Sequence, residues 1–221
     1  MHAFTVHDVV QRSHEWHALR LGTLCSSYAN AMLAGGKGTM RGNLLVQLAL
    51  ERLTKKSQAR DFQSEHTQNG VNREEDALFA YQAATGRILR TVGYVSHDSL
   101  MAGGSPDGVL GEWERVVEAK CPTAPVHWEY FETGVVPLGY LRQIRHLLWL
   151  TNARGAVFIS FNPDFPERGR LRIVEVSRDE QAIEEYDREA RAFLAEVDRK
   201  VEAFHTLTNL SGVLSASVGV S

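Results

Sequence analysis

Two short runs, Ser105-Pro106-Asp107-Gly108 and Glu118-Ala119-Lys120-Cys121-Pro122, enclose a stretch with room for little but a tight β-hairpin. Gly108-Val109-Leu110 and Arg115-Val116-Val117 are apolar arms, and Gly111-Glu112-Trp113-Glu114 between them is the turn. A turn centred between Glu112 and Trp113 sets Gly108 opposite Val117 and Asp107 opposite Glu118. Directly opposed residues of an antiparallel pair have Cβ atoms roughly 4.5–5.5 Å apart. Two carboxylates at that distance repel each other unless a cation sits between them, and a hard divalent ion with oxygen ligands is the natural occupant. Side chains alternate along a strand, so Glu118 and Lys120 share one face while Val117 and Ala119 take the other. A lysine two residues from a metal-binding carboxylate can position and activate a water, which suits metal-assisted hydrolysis of a phosphodiester. Asp-Gly is also an ordinary turn pair, so residues elsewhere must decide.

Composition narrows the setting. A chain of 221 residues is long enough to bury roughly 70% of its unfolded surface in one domain. Its net charge of −3 excludes a protein that coats nucleic acid by bulk charge, so any polyanion must meet a local basic patch. No apolar run approaches the roughly 20 residues that span a bilayer. The first residues lack a basic start followed by an apolar stretch. With only Cys25 and Cys121, a reducing cytoplasm is the expected compartment. Cys121 falls on the opposite strand face from Lys120 and reads as an inert thiol. The nine histidines show no metal-ligand spacing.

The expected architecture is α/β: a mixed central β-sheet flanked by helices on both faces. Helices are expected over 13–20, 26–33, 43–54, 70–84, 126–133 and 138–151. Strands are expected over 89–96, 107–110, 115–120, 156–161 and 171–176. Ser177-Arg178-Asp179-Glu180 has the form of a capping box. It opens a long helix presenting Ile183, Tyr186, Ala190, Phe193, Leu194, Val197, Val201 and Phe204 to the core. One domain over 1–207 and a flexible tail over 208–221 follow from this pattern. On a helical wheel Glu74 lies at the centre of an apolar face with Val71, Ala77, Leu78 and Tyr81. A carboxylate there demands a partner, either an arginine in a buried salt bridge or a metal. Lys37, in the glycine-rich stretch 34–39, is either a loop tip or a contact to a DNA groove.

A wider set of residues carries a resemblance: Trp16-His17-Ala18-Leu19-Arg20-Leu21-Gly22, Ser26-Ser27, Gly70-x-x-x-Glu74, Ser105-Pro106-Asp107-Gly108, Glu118-Ala119-Lys120-Cys121-Pro122 and Tyr140-x-x-Gln143. In order and spacing it resembles the lambda-exonuclease-like, YqaJ-type viral recombinases of the PD-(D/E)xK nuclease superfamily, from about residue 13 to about 203. The resemblance implies a restriction-endonuclease-like core and a 5′→3′ exonuclease that degrades one strand of duplex DNA with Mg²⁺, two ions per site, Mn²⁺ serving as a substitute. It leaves 3′ single strands for a single-strand annealing protein, works as a homotrimeric ring, and belongs to a phage or prophage in a bacterial cytoplasm. Carried over by position, Asp107, Glu118 and the Ala119 carbonyl are metal ligands. Glu74 is the outer acid, reaching the metal directly or through water, and Lys120 positions the attacking water. Gln143 and Tyr140 come from an active-site helix. Arg20, Ser27 and Ser105 form a pocket for the 5′-phosphate of a double-stranded end. On the residues alone, Arg20 also has a reading as a stack on Trp16, Ser27 as a helix cap, Ser105 as a turn former and Gln143 as a helix-packing amide. A restriction-like or structure-specific endonuclease and a docking module for an annealing protein are the competing readings. The family's apolar wedge before the Gly-x-x-x-Glu helix is replaced here by polar Glu65-His66-Thr67-Gln68-Asn69.

Overall fold

The computed structural model describes residues 3–35, 39–58 and 65–217, with side chains for all of these except 39, 65–72 and 210–217. Lys37 lies outside the described residues. In chain order the elements are β1 (Phe4–His7), α1 (His14–Arg20), β2 (Leu24–Cys25), a 3₁₀ turn (Ser26–Tyr28), α2 (Ala29–Met32), α3 (Thr39–Thr54), α4 (Glu65–Thr85), β3 (Tyr94–His97), β4 (Ala102–Gly104), β5 (Gly108–Leu110), β6 (Arg115–Lys120), α5 (Ala124–Thr133), α6 (Leu138–Thr151), β7 (Gly155–Phe161), β8 (Leu171–Ser177) and α7 (Glu180–Ser217).

Helix ends follow local chemistry. Ser13 caps α1 by accepting a hydrogen bond from the Trp16 amide at 3.2 Å. Gly134 (φ 64°) and Asn152 (φ 56°) end α5 and α6 in the left-handed conformation that glycine and asparagine tolerate best. Asp179, not Ser177, caps α7: its Oδ1 accepts from the Ala182 amide at 3.1 Å.

The strands form two four-stranded sheets, β5-β6-β7-β8 and β1-β3-β4-β2. In the first, β6 and β7 are parallel and the outer pairs antiparallel. Gly108 faces Val117 and Val109 faces Val116, the register expected from the hairpin. Every residue of β7 is buried, as befits a central strand covered on both faces. On one face Val117, Ala119, Val157 and Ile159 pack with Ala77 and Tyr81 of α4. On the other, Val116, Ala156 and Phe158 join Ile144, Leu147 and Leu148 of α6 and Tyr186, Phe193 and Val197 of α7. The sheet is therefore a partition with one helix layer on each side.

Several expectations need correction. The 89–96 strand is shorter: Arg90 makes an isolated bridge to Val109, and regular pairing runs over Tyr94–His97. The helix expected over 26–33 splits into a 3₁₀ turn and a four-residue helix. Phe204 is 48% exposed rather than in the core, because α7 has by then run past the body it packs on.

Candidate active site

The first sheet sets the geometry of the acidic residues. β6 outruns β5: Gly108↔Val117 is their last pair in that direction, and Glu118, Ala119 and Lys120 continue beyond it against β7. Asp107 fills the step. Its amide donates to the Val117 carbonyl at 3.0 Å, and its Oδ2 accepts from the Ala119 amide at 2.7 Å. A strand residue points its N–H and C=O to the same edge, so the Ala119 carbonyl faces the same gap. Glu118 lies on the α6 side of the sheet with Lys120, whose ammonium pairs with Glu118 Oε1 and sits 5.5 Å from the centre of the Tyr140 ring. Tyr140 in turn stacks on Phe158 of β7 at 5.6 Å. Gln143, half-buried one turn further along α6, lies on the same helical face as Tyr140.

The electrostatics are those of a site short of positive charge. Burial and then Glu118 push the Asp107 carboxyl up to about 8. Glu118, 1% exposed, is raised by burial against the downward pull of Lys120. Burial opposes the charge of Lys120, but Glu118 and Asp107 together outweigh it and raise its pKa, so the amine stays protonated at neutral pH. Cys121 is pushed up to about 12, chiefly by burial, and is a thiol rather than a nucleophile. Glu118 Oε2 is buried without a hydrogen-bond partner. An orphaned carboxylate oxygen beside a second crowded carboxyl is the donor set that suits a hard divalent cation. Asp107, Glu118 and the Ala119 carbonyl are the groups that would hold it.

Glu74 stands apart from that pair. Its Oε2 accepts from Arg12 Nη2 at 2.9 Å, and both side chains are partly exposed. Among the described residues no group of three or more His, Cys, Asp or Glu side chains gathers into a metal-binding arrangement. The arginine partner that the helical wheel allowed for is therefore present, although the pair is not buried.

A second cluster lies on the β4 side. Arg20 Nη2 donates to Ser27 Oγ at 3.3 Å, and its guanidinium lies 4.1 Å from the centre of the Trp16 ring. Trp16 Nε1 donates to Ser105 Oγ at 2.8 Å, which donates onward to the Gly93 carbonyl at 2.7 Å. The structure thus brings Arg20, Ser27 and Ser105 together through Trp16, two residues upstream of Asp107. Close packing makes this possible. A Cβ on Gly103 would stand 2.1 Å from the Tyr94 hydroxyl, and one on Gly104 would stand 3.2 Å from Ser26 Oγ. Glycine at 103 makes room for Tyr94 of β3, and glycine at 104 lets Ser26 of the 3₁₀ turn lie against β4.

Sequence reasoning missed Gln11 and Arg12. Gln11 Nε2 donates to the Val92 and Pro106 carbonyls at 2.8 and 3.2 Å, tying the segment before α1 to the Asp107 loop. The signal was hidden because the turn at Val10–Ser13 lacks the glycine or proline that usually marks one.

The sequence model of the YqaJ-like viral recombinase domain matches residues 15–154. Among solved structures, the alkaline exonuclease LHK-Exo from Laribacter hongkongensis is 28% identical, with a TM-score of 0.81 over 89% of this chain and 98% of that one. LHK-Exo in complex with dAMP superposes with a TM-score of 0.82 over 90% and 100% of the two chains, at the same identity. A phage-related exonuclease from Haemophilus somnus 129PT is 14% identical with a TM-score of 0.64, covering 82% of this chain and 96% of that one, a likeness of fold. No curated protein matches the chain.

Proposed function

This chain belongs to the YqaJ-like viral recombinase family, and from that premise we propose that it is a deoxyribonuclease: a Mg²⁺-dependent 5′→3′ exonuclease on linear duplex DNA. Its product is a 3′ single strand for a single-strand annealing protein in phage-type recombination in the cytoplasm, and the working form is a ring of three copies. The observation that carries the reading is the Asp107–Glu118–Lys120 set at the overhanging end of β6, in a chain that aligns along nearly its whole length with an alkaline exonuclease.

A bound divalent cation supplies polarisation of the phosphodiester and a water of lowered pKa. The protein's own groups do the rest. Asp107 is fixed by the Ala119 amide, so its second oxygen is free to face the gap. Lys120 keeps its proton, and acts as a donor that orients the attacking water and offsets charge building on the phosphate, rather than as a base. Gln143 and Tyr140 border the Lys120 side. Arg20, Ser27 and Ser105 hold a terminal phosphate: a guanidinium fork and two hydroxyls match its oxygens. Glu74 serves as the outer acid.

The test is digestion of a linear duplex labelled at its 5′ or its 3′ ends, with Mg²⁺, beside a closed circle. The proposal expects early release of the 5′ label and an intact circle. Early release of the 3′ label refutes the direction, and a cut circle turns the assignment to an endonuclease.

A further inference from the structure

Arg12 has no role in the site as described so far, yet its backbone and side chain are both unusual. The turn Val10–Ser13 is closed by a 3.0 Å bond from the Ser13 amide to the Val10 carbonyl. Arg12 occupies its third position with φ 70°, a conformation that costs an L-residue on the order of 1 kcal/mol and that glycine adopts freely. The turn is pinned to the site by Gln11, whose amide bonds the Pro106 carbonyl one residue before Asp107. From there the guanidinium reaches across to α4 and takes Glu74 Oε2 at 2.9 Å.

That contact is placed where it matters. Glu74 lies one turn before Ala77 on α4, the helix that packs on Val117 and Ala119 of β6, and its charge is the smallest of the influences felt by Asp107, Glu118 and Lys120, so it borders the gap. While paired to Arg12, however, it does not complete a three-carboxylate cluster. We propose that Arg12 is a positioning residue of the metal centre: its guanidinium competes with the divalent cation for Glu74 and so sets the affinity of the site. The inference rests on the metal-dependent reading above. A purely structural role would make Arg12 a surface ion pair supporting the turn. The backbone argues against that role, because a side chain whose only task was to support this turn would serve better as glycine.

The experiment is Mn²⁺ titration of the full chain by calorimetry, with thermal unfolding in parallel. Wild type should bind Mn²⁺, and Asp107→Ala should abolish or strongly weaken that binding. Arg12→Gly should bind about threefold more tightly, the size expected for a partly exposed ion pair, with little change in thermal midpoint because glycine relieves the left-handed φ. Arg12→Gln, which keeps the backbone strain and loses only the charge, should tighten binding similarly. In a Glu74→Gln background neither Arg12 change should have any effect. Unchanged Mn²⁺ affinity in both Arg12 variants, or equal tightening with and without Glu74, overturns the competition while leaving the metal centre standing. No Mn²⁺ binding by wild type, or binding indifferent to Asp107→Ala, overturns the metal centre and this proposal with it.

Discussion

Asp107→Asn should make the metal-free protein more stable while destroying its activity. The two crowded carboxyls share one ammonium, and desolvation, then Glu118, lifts Asp107 from 3.8 to about 8. The sign follows from linkage: a carboxyl raised on folding holds its proton longer in the folded chain. Its penalty is therefore absent below about pH 4, grows as pH rises, and is complete above about pH 8. Spanning the two values, the charge costs at most about 6 kcal/mol. Asp107 keeps partial contact with solvent, and the amide also loses water on burial, which reduces the expected gain to about 2 kcal/mol at pH 8. The amide carbonyl can still accept from Ala119, so the loop geometry survives. Urea unfolding in EDTA at pH 8 and pH 5 tests this. The variant should exceed wild type at pH 8, the gap should shrink at pH 5, and excess Mg²⁺ should close it at pH 8 by stabilising wild type alone. A variant no more stable than wild type at pH 8 in EDTA would refute the picture of carboxylates held together against their own repulsion.

Gly103→Ala should lose about 2–4 kcal/mol in urea unfolding, since the new Cβ meets the Tyr94 hydroxyl and the Val95 carbonyl at 2.1 and 2.7 Å. Arg20→Ala should slow digestion of 5′-phosphorylated ends by about tenfold or more and leave 5′-hydroxyl ends nearly unaffected, as read in a gel time course. His146 is lowered to about 4, mainly by burial, with its nitrogens 2.7 Å from the Tyr186 hydroxyl and 2.9 Å from the Gly103 carbonyl. The unfolded chain binds this proton first, so about 3 kcal/mol of stability should disappear between pH 6.5 and pH 4. An NMR titration showing the ring charged above pH 6 in the folded protein contradicts this.

The elements legible in the sequence were those with a pattern of their own. The β5–β6 hairpin declared its register through a short turn centred between two apolar arms, and this put Asp107 at the β6 overhang. The second sheet left no such trace. β1 has no fully buried residue, β2 is two residues long, and β4 is Ala-Gly-Gly, whose strand character comes from its neighbours. Glu74 shows why a helical wheel is ambiguous at a site: the wheel reports the apolar stripe, while the partner of a carboxylate in it comes from a turn 62 residues away. Arg20, Ser27 and Ser105 could be named but not joined, because the link through the Trp16 indole exists only once α1 is packed beside β4.

The central claim is that Asp107 and Glu118, with Lys120 beside them, are the hydrolytic centre. The most direct measurement is release of nucleotides from a linear 5′-phosphorylated duplex by wild type, Asp107→Ala and Lys120→Ala, each with Mg²⁺ and with EDTA. Activity confined to wild type with Mg²⁺, with both variants still binding the duplex, is the predicted result. Digestion in EDTA, or by Asp107→Ala at the wild-type rate, would contradict it.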